Sequence, residues 1–126
     1  MRLLRPPRFS MPRKDDVIRL RHMLEAAEAA RGYVGSKTRE DFFKDNQCRD
    51  AVVRCIEVIG EAASRLSQEC QTEFPQVPWK SIISMRNRLI HAYFDINLNT
   101  IWSTITEDLP PLIDALEKIL KPGDDK

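Results

Sequence analysis

A chain of 126 residues is long enough for one domain around one core and too short for two of ordinary size. With 42% apolar and 31% charged residues, and only four Gly against eight Pro, it is not collagen-like, low in complexity or disordered throughout. The 20 basic and 19 acidic residues nearly cancel, yet residues 1–14 hold five of the basic ones and no acid, so the rest of the chain is mildly acidic. Contact with a polyanion must then rest on a local patch, not on a broad basic face.

The first ten residues carry positive charge without an apolar run long enough for a secretory signal, and Met11, just ahead of the helical pattern, stands as an alternative start. Residues 1–12 read as a flexible basic tail, 13–121 as the folded domain and 122–126 as a disordered end. The longest apolar stretches are a few residues, far below the roughly 20 that span a bilayer, so neither export nor a membrane is expected. Cys48, Cys55 and Cys70 are an odd number without CxxC spacing, which predicts no disulfide framework and no zinc knuckle, in a reducing, cytoplasmic setting. Cys48 and Cys55, seven residues apart, read as small core hydrophobes.

From Lys14 to Val34 apolar residues recur at three- and four-residue steps, with Asp15 and Asp16 near the positive dipole end, which predicts a long amphipathic helix. Gly32 and Gly35 punctuate its end. Thr38 to Asp45 reads as a short helical turn capped by Thr38 and anchored by Phe42 and Phe43. Asn46 to Glu69 keeps helical spacing without a proline, predicting a second long helix. Its Gly60, Ala62 and Ala63 would let another helix approach closely. Pro75 and Pro78 make a rigid connection to a third helix, Trp79 to Tyr93. A last helix, Leu98 to Leu120, should break or kink near Asp108, because Pro110 and Pro111 lack N–H donors. No segment alternates with period two. The fold class is all-α, a four- to five-helix up-down bundle.

On the third helix Arg86 shares a face with Trp79, Ile82, Ile83, Ile90 and Tyr93. A guanidinium amid apolar neighbours requires an acidic partner such as Glu57 or Glu61, a snorkelling stem, or a cleft where an anion binds. His91 lies five residues on, about 140° away on a regular helix. The two side chains converge only if the helix ends near His91, or if two copies pack so that a two-fold axis gathers two arginines and two histidines. That grouping suits RNA cleavage, in which one imidazole deprotonates the ribose 2′-hydroxyl, a second protonates the leaving oxygen and guanidinium stabilises the phosphorane. His22, beside Arg19 and Arg21, reads as a solvated face. Tyr93 returns to the apolar face with its hydroxyl at the rim.

The string from Trp79 to Asp95, with Arg86, four residues, His91, one residue and Tyr93, resembles the HepT-like branch of the HEPN superfamily. Glu40-Asp-Phe, Arg54 to Ala62, Val77-Pro-Trp and Asp108-Leu-Pro-Pro-Leu are similar to that family's other recurring blocks, so the resemblance covers nearly everything after Met11. It implies a HEPN-type bundle that dimerises through the motif helix, and a metal-independent endoribonuclease with a composite site of Arg86 and His91 from both chains, with Asn87 lining the cleft. It implies no cofactor. It further implies the toxin half of a type VII-like toxin–antitoxin pair, whose partner, an MntA-type nucleotidyltransferase antitoxin, transfers AMP to Tyr93. The added bulk and negative charge would obstruct the RNA phosphate. The position after the histidine, an acid in many members, is here Ala92. That departure keeps a second reading open, a non-catalytic HEPN partner that binds a nucleotidyltransferase or a nucleotide. The transferase's own signature is absent, since Gly35-Ser36 is followed by Lys37 and Thr38 without the paired acids.

Overall fold

The computed structural model describes residues 13–92 and 96–121, and the tails expected at 1–12 and 122–126 lie outside them. Every regular element among the described residues is helical: α1 (Lys14–Val34), α2 (Arg39–Lys44), α3 (Asn46–Ser64), α4 (Gln68–Glu73), α5 (Trp79–Ala92), α6 (Leu98–Ser103), a π-turn (Thr104–Asp108) and α7 (Leu109–Leu120). The all-α bundle expected from periodicity is the observed fold.

The core forms where the apolar stripes of α1 and α3 meet. Leu20, Met23, Ala27 and Ala30 of α1 and Val52, Ile59 and Ala63 of α3 are almost wholly removed from solvent. The alanines at this seam allow the two axes to come close. α7 packs on α1 through residues such as Leu116, while α5 packs on α3. The short α2 behaves as expected: the Asp41 N–H donates to the Thr38 hydroxyl oxygen at 3.1 Å, and Phe42 is fully buried beside Trp102. Val77-Pro-Trp also has a structural basis. The indole N–H of Trp79 donates to the carbonyls of Gln71 and Phe74, at 3.1 and 3.0 Å, which ties down the connection and sets where α5 begins.

One element differs from the expectation. α3 ends at Ser64 instead of continuing to Glu69, and Ser67 caps a separate α4, its hydroxyl oxygen accepting from the Cys70 N–H at 3.1 Å. The cause lies 51 positions away, in Asp16. This residue is only 4% exposed, and its carboxylate accepts from the Ser67 N–H at 2.9 Å and the Ser67 hydroxyl at 2.7 Å. An acid read as a partner of the α1 dipole is therefore a buried anchor between α1 and α4. Helical spacing conceals the break because Leu66 and Cys70 remain on the buried face. Hydrogen bonds to a charged acceptor contribute about 1.5–3 kcal/mol each, and a buried donor left unpaired adds its desolvation cost. Asp16→Ala should lower the unfolding free energy by about 3 kcal/mol. Urea titrations of wild type and variant check this, and a decrease below about 0.5 kcal/mol, the usual surface range, would contradict the anchor.

Near Pro110 and Pro111 the last helix is interrupted at Asp108 as expected, and the interruption is a widening of the turn. The Leu109 N–H reaches back five residues to the Thr104 carbonyl, and the π-turn carries α6 into α7 while absorbing the missing donors. Arg31 supports the wide turn by donating to the Ile105 carbonyl at 3.4 Å.

All three cysteines are free thiols in the core. Burial, with the charges of Asp16 and Glu73 behind it, pushes the Cys70 thiol up to about 11. Burial also raises Cys48 and Cys55. Packing, not nucleophilicity, is their role.

Candidate active site

The site begins with a glycine. A Cβ placed on Gly60 would lie 2.1 Å from Arg86 Cβ, 2.8 Å from Arg86 Cγ and 3.2 Å from the Ile82 carbonyl oxygen. The Arg86 stem therefore occupies the space any side chain at position 60 would need. This accounts for a residue that costs about 1 kcal/mol of helix propensity in mid-helix.

From that seat the side chain extends outward. It is 27% exposed, with its Nε buried and without a hydrogen-bond partner among the described residues. Nη1 donates to Asn87 Oδ1 at 2.9 Å, and Nη2 pairs with Glu61. Of the two acids that could have answered Arg86, Glu61 does so, while Glu57 faces Arg54 at 3.6 Å. Glu61 also accepts from Arg65 Nε at 2.8 Å. That hydrogen bond, with the charges of Arg86 and Arg65, holds the Glu61 carboxyl below the usual carboxylate range, against the opposing effect of desolvation. A depressed carboxyl contributes stability above its unfolded pKa and loses it as pH falls through the folded value. The Glu61 pairs thus persist through the neutral range.

The guanidinium is not sealed inside the bundle. It opens on a cleft of about 390 Å³ between α1, α3 and α5, whose walls also carry Arg19, His22, Arg54, Arg65 and Ile90. Four guanidinium groups here face two carboxylates, Glu57 and Glu61. This is the local basic patch that the mildly acidic chain requires for any contact with a polyanion.

His91 is exposed and does not line this cleft. Because α5 stays helical through Ala92, His91 and Arg86 remain on different faces, as five residues on a regular helix dictate. α5 ends at Ala92, one residue after His91, so the helix end lies close to His91 without bringing it into the cleft. Ile90, expected in the buried stripe, is 47% exposed, and Leu89 is buried in its place. Arg86 fills the crossing with α3, and Leu89 is the residue beyond it that turns inward. Tyr93 lies outside the described residues. Among those residues no three imidazole, thiol or carboxylate groups come together as metal ligands.

Sequence reasoning placed His22 on a solvated face and gave no role to Arg19 or Arg54. His22 is exposed, yet it also lines the Arg86 cleft. The available signals were the i, i+3 spacing of Arg19 and His22 and the run Arg54, Glu57, Glu61, Arg65 at three- and four-residue steps beside Gly60.

Comparison with known proteins agrees with the family resemblance of the chain. The family model described as "Ribonuclease HepT-like" matches residues 23–119. The chain is 38% identical over 111 residues to "Putative RNase MJ0127" of Methanocaldococcus jannaschii, covering 88% of this chain and 92% of that protein. It is 35% identical over 102 residues to "Probable ribonuclease HepT" of Thermococcus cleftensis, covering 81% and 93%. A longer protein of the same Methanocaldococcus, "Gamma-glutamylcyclotransferase and putative RNase MJ0434", is 39% identical over 109 residues, and the chain spans 49% of its length. No solved structure matches the chain.

Proposed function

Because this chain belongs to the HepT-like ribonuclease family, we propose that it is an endoribonuclease toxin whose site is completed by a second copy of itself. The observation that carries this reading is Arg86, seated on Gly60 and opening on a basic cleft. A guanidinium has five N–H donors, and Glu61 and Asn87 each engage one, which leaves capacity for a phosphate. His91, solvent-exposed and off the cleft, is free to reach the Arg86 of a partner subunit across a two-fold axis. Half-buried Ile83 and Met85 and exposed Ile90 give the motif helix apolar surface for that contact.

In this reading one His91 removes the proton of the ribose 2′-hydroxyl as its oxygen bonds to phosphorus. The His91 of the other chain donates a proton to the departing 5′-oxygen as the P–O bond breaks. Arg86 neutralises charge on the phosphorane. The chemistry needs no metal, the setting is the cytoplasm, in keeping with the three free thiols, and the toxin is silenced when an MntA-type nucleotidyltransferase adenylylates Tyr93.

The test is cleavage of RNA by purified protein with EDTA present. Arg86→Ala should reduce turnover by about 10²- to 10³-fold, the usual cost of removing one transition-state donor. Equal turnover by wild type and variant would remove the nuclease reading. For Tyr93, intact mass after co-expression with the neighbouring transferase should rise by whole AMP units, and an unchanged mass would reject that control.

A further inference from the structure

The cleft contains more positive charge than the proposed chemistry uses. Three guanidinium Nε atoms among the described residues are buried without a hydrogen-bond partner, those of Arg19, Arg49 and Arg86, and two of the three line this cleft. Arg86 has Glu61 to offset its burial, but Arg19 forms no ion pair among those described. A partly desolvated guanidinium without an anion is unfavourable, so an anion brought to it gains more than one at an ordinary surface arginine. His22 lies one turn further along α1 on the same side as Arg19. Arg54 adds a third basic group from α3. It is 75% exposed and only loosely held by Glu57, an arrangement that contributes little and yields readily to another anion.

We propose that Arg19, His22 and Arg54 form a second phosphate subsite, which holds a neighbouring phosphate of the RNA strand whose scissile phosphate sits at Arg86. This inference rests on the nuclease reading for the identity of the ligand, but its recognition chemistry is independent of catalysis. Val58, on the same walls, supplies apolar surface against which a sugar or base can lie. The strand then runs along the cleft, with one phosphate at α5 and the next at α1.

The experiment uses the whole protein and a 2′-O-methyl RNA oligonucleotide, which lacks the attacking hydroxyl and cannot be cut. Affinity is measured by fluorescence anisotropy over a range of salt concentrations. Arg19→Gln and the double variant Arg19→Gln/His22→Gln keep polar stems and should fold, as a thermal melt verifies. Each should weaken binding several-fold and flatten the slope of log K against log salt by about 0.7 for every phosphate that the variant no longer neutralises. Arg21→Gln is the control, since it removes the same charge from α1 at an exposed residue outside the cleft. Its slope should match wild type. Equal effects of Arg19→Gln and Arg21→Gln would reduce the result to the general field of the protein and overturn the subsite. Binding indifferent to Arg19 and His22 would overturn it too, leaving the cleft to an acidic protein surface. Either failure is distinct from failure of the nuclease reading, which is decided by cleavage of ordinary RNA by wild type and Arg86→Ala.

Discussion

His91→Ala should lower RNA cleavage by roughly 10²- to 10⁴-fold, the range that acid–base catalysis supplies, and the variant should also poison wild-type subunits. If two imidazoles, one from each chain, carry the two proton transfers, only a dimer with two intact histidines turns over. Unfolding and refolding an equimolar mixture leaves about a quarter of the dimers wild type on both sides. Activity per wild-type chain should therefore fall by about half relative to wild type alone. Were each protomer a complete enzyme, activity per wild-type chain would not change. The measurement separates a site that needs both imidazoles from one that needs a single imidazole, without needing a structure of the dimer. It follows from the placement of His91 on a different face of α5 from Arg86, on a helix that does not end before it.

Gly60→Ala should destabilise the protein by about 1–3 kcal/mol and abolish cleavage, although alanine is the better helix former by about 1 kcal/mol. The two effects oppose each other, and the contact distance decides between them. The new Cβ would meet Arg86 Cβ at 2.1 Å, so α3 and α5 must move apart or Arg86 must leave its seat. Displacing Arg86 separates it from Glu61 and moves it within the cleft, so turnover falls even in molecules that remain folded. Urea unfolding and a cleavage assay on the same preparation check both halves. Arg86→Ala should not rescue the stability of Gly60→Ala, because the atom met first is the β-carbon, which alanine retains. A Gly60→Ala protein as stable as wild type and fully active would show that this crossing does not hold Arg86.

Much of the architecture was legible in periodicity. α1 occupies the span its apolar spacing predicts, α2 carries its Thr38 cap, and α5 starts where the prolines stop. The two interruptions of the predicted long helices share a cause. At Ser64 and at Thr104 the helical period continues on the buried face while the backbone departs from it. In the first case the chain answers to Asp16 on another helix, and in the second to donors missing from Pro110 and Pro111. Periodicity registers which side faces the core, not how the backbone pairs its hydrogen bonds.

For the site, the sequence by itself determined the helix that carries Arg86 and His91, the placing of a guanidinium among apolar residues, the short choice of acids that could answer it and the angular separation of Arg86 from His91. All of these follow from residues on one helix, or from the rule that a desolvated charge needs a partner. Only the tertiary structure decided that Glu61 is that partner, that Gly60 is the seat, and that Arg19, His22 and Arg54 share the cleft with Arg86. Those groups come from three helices far apart in the chain. Their meeting depends on where α5 crosses α3 and on which turn of α1 lies beside the crossing, quantities set by side-chain volumes across the whole core and by no local pattern.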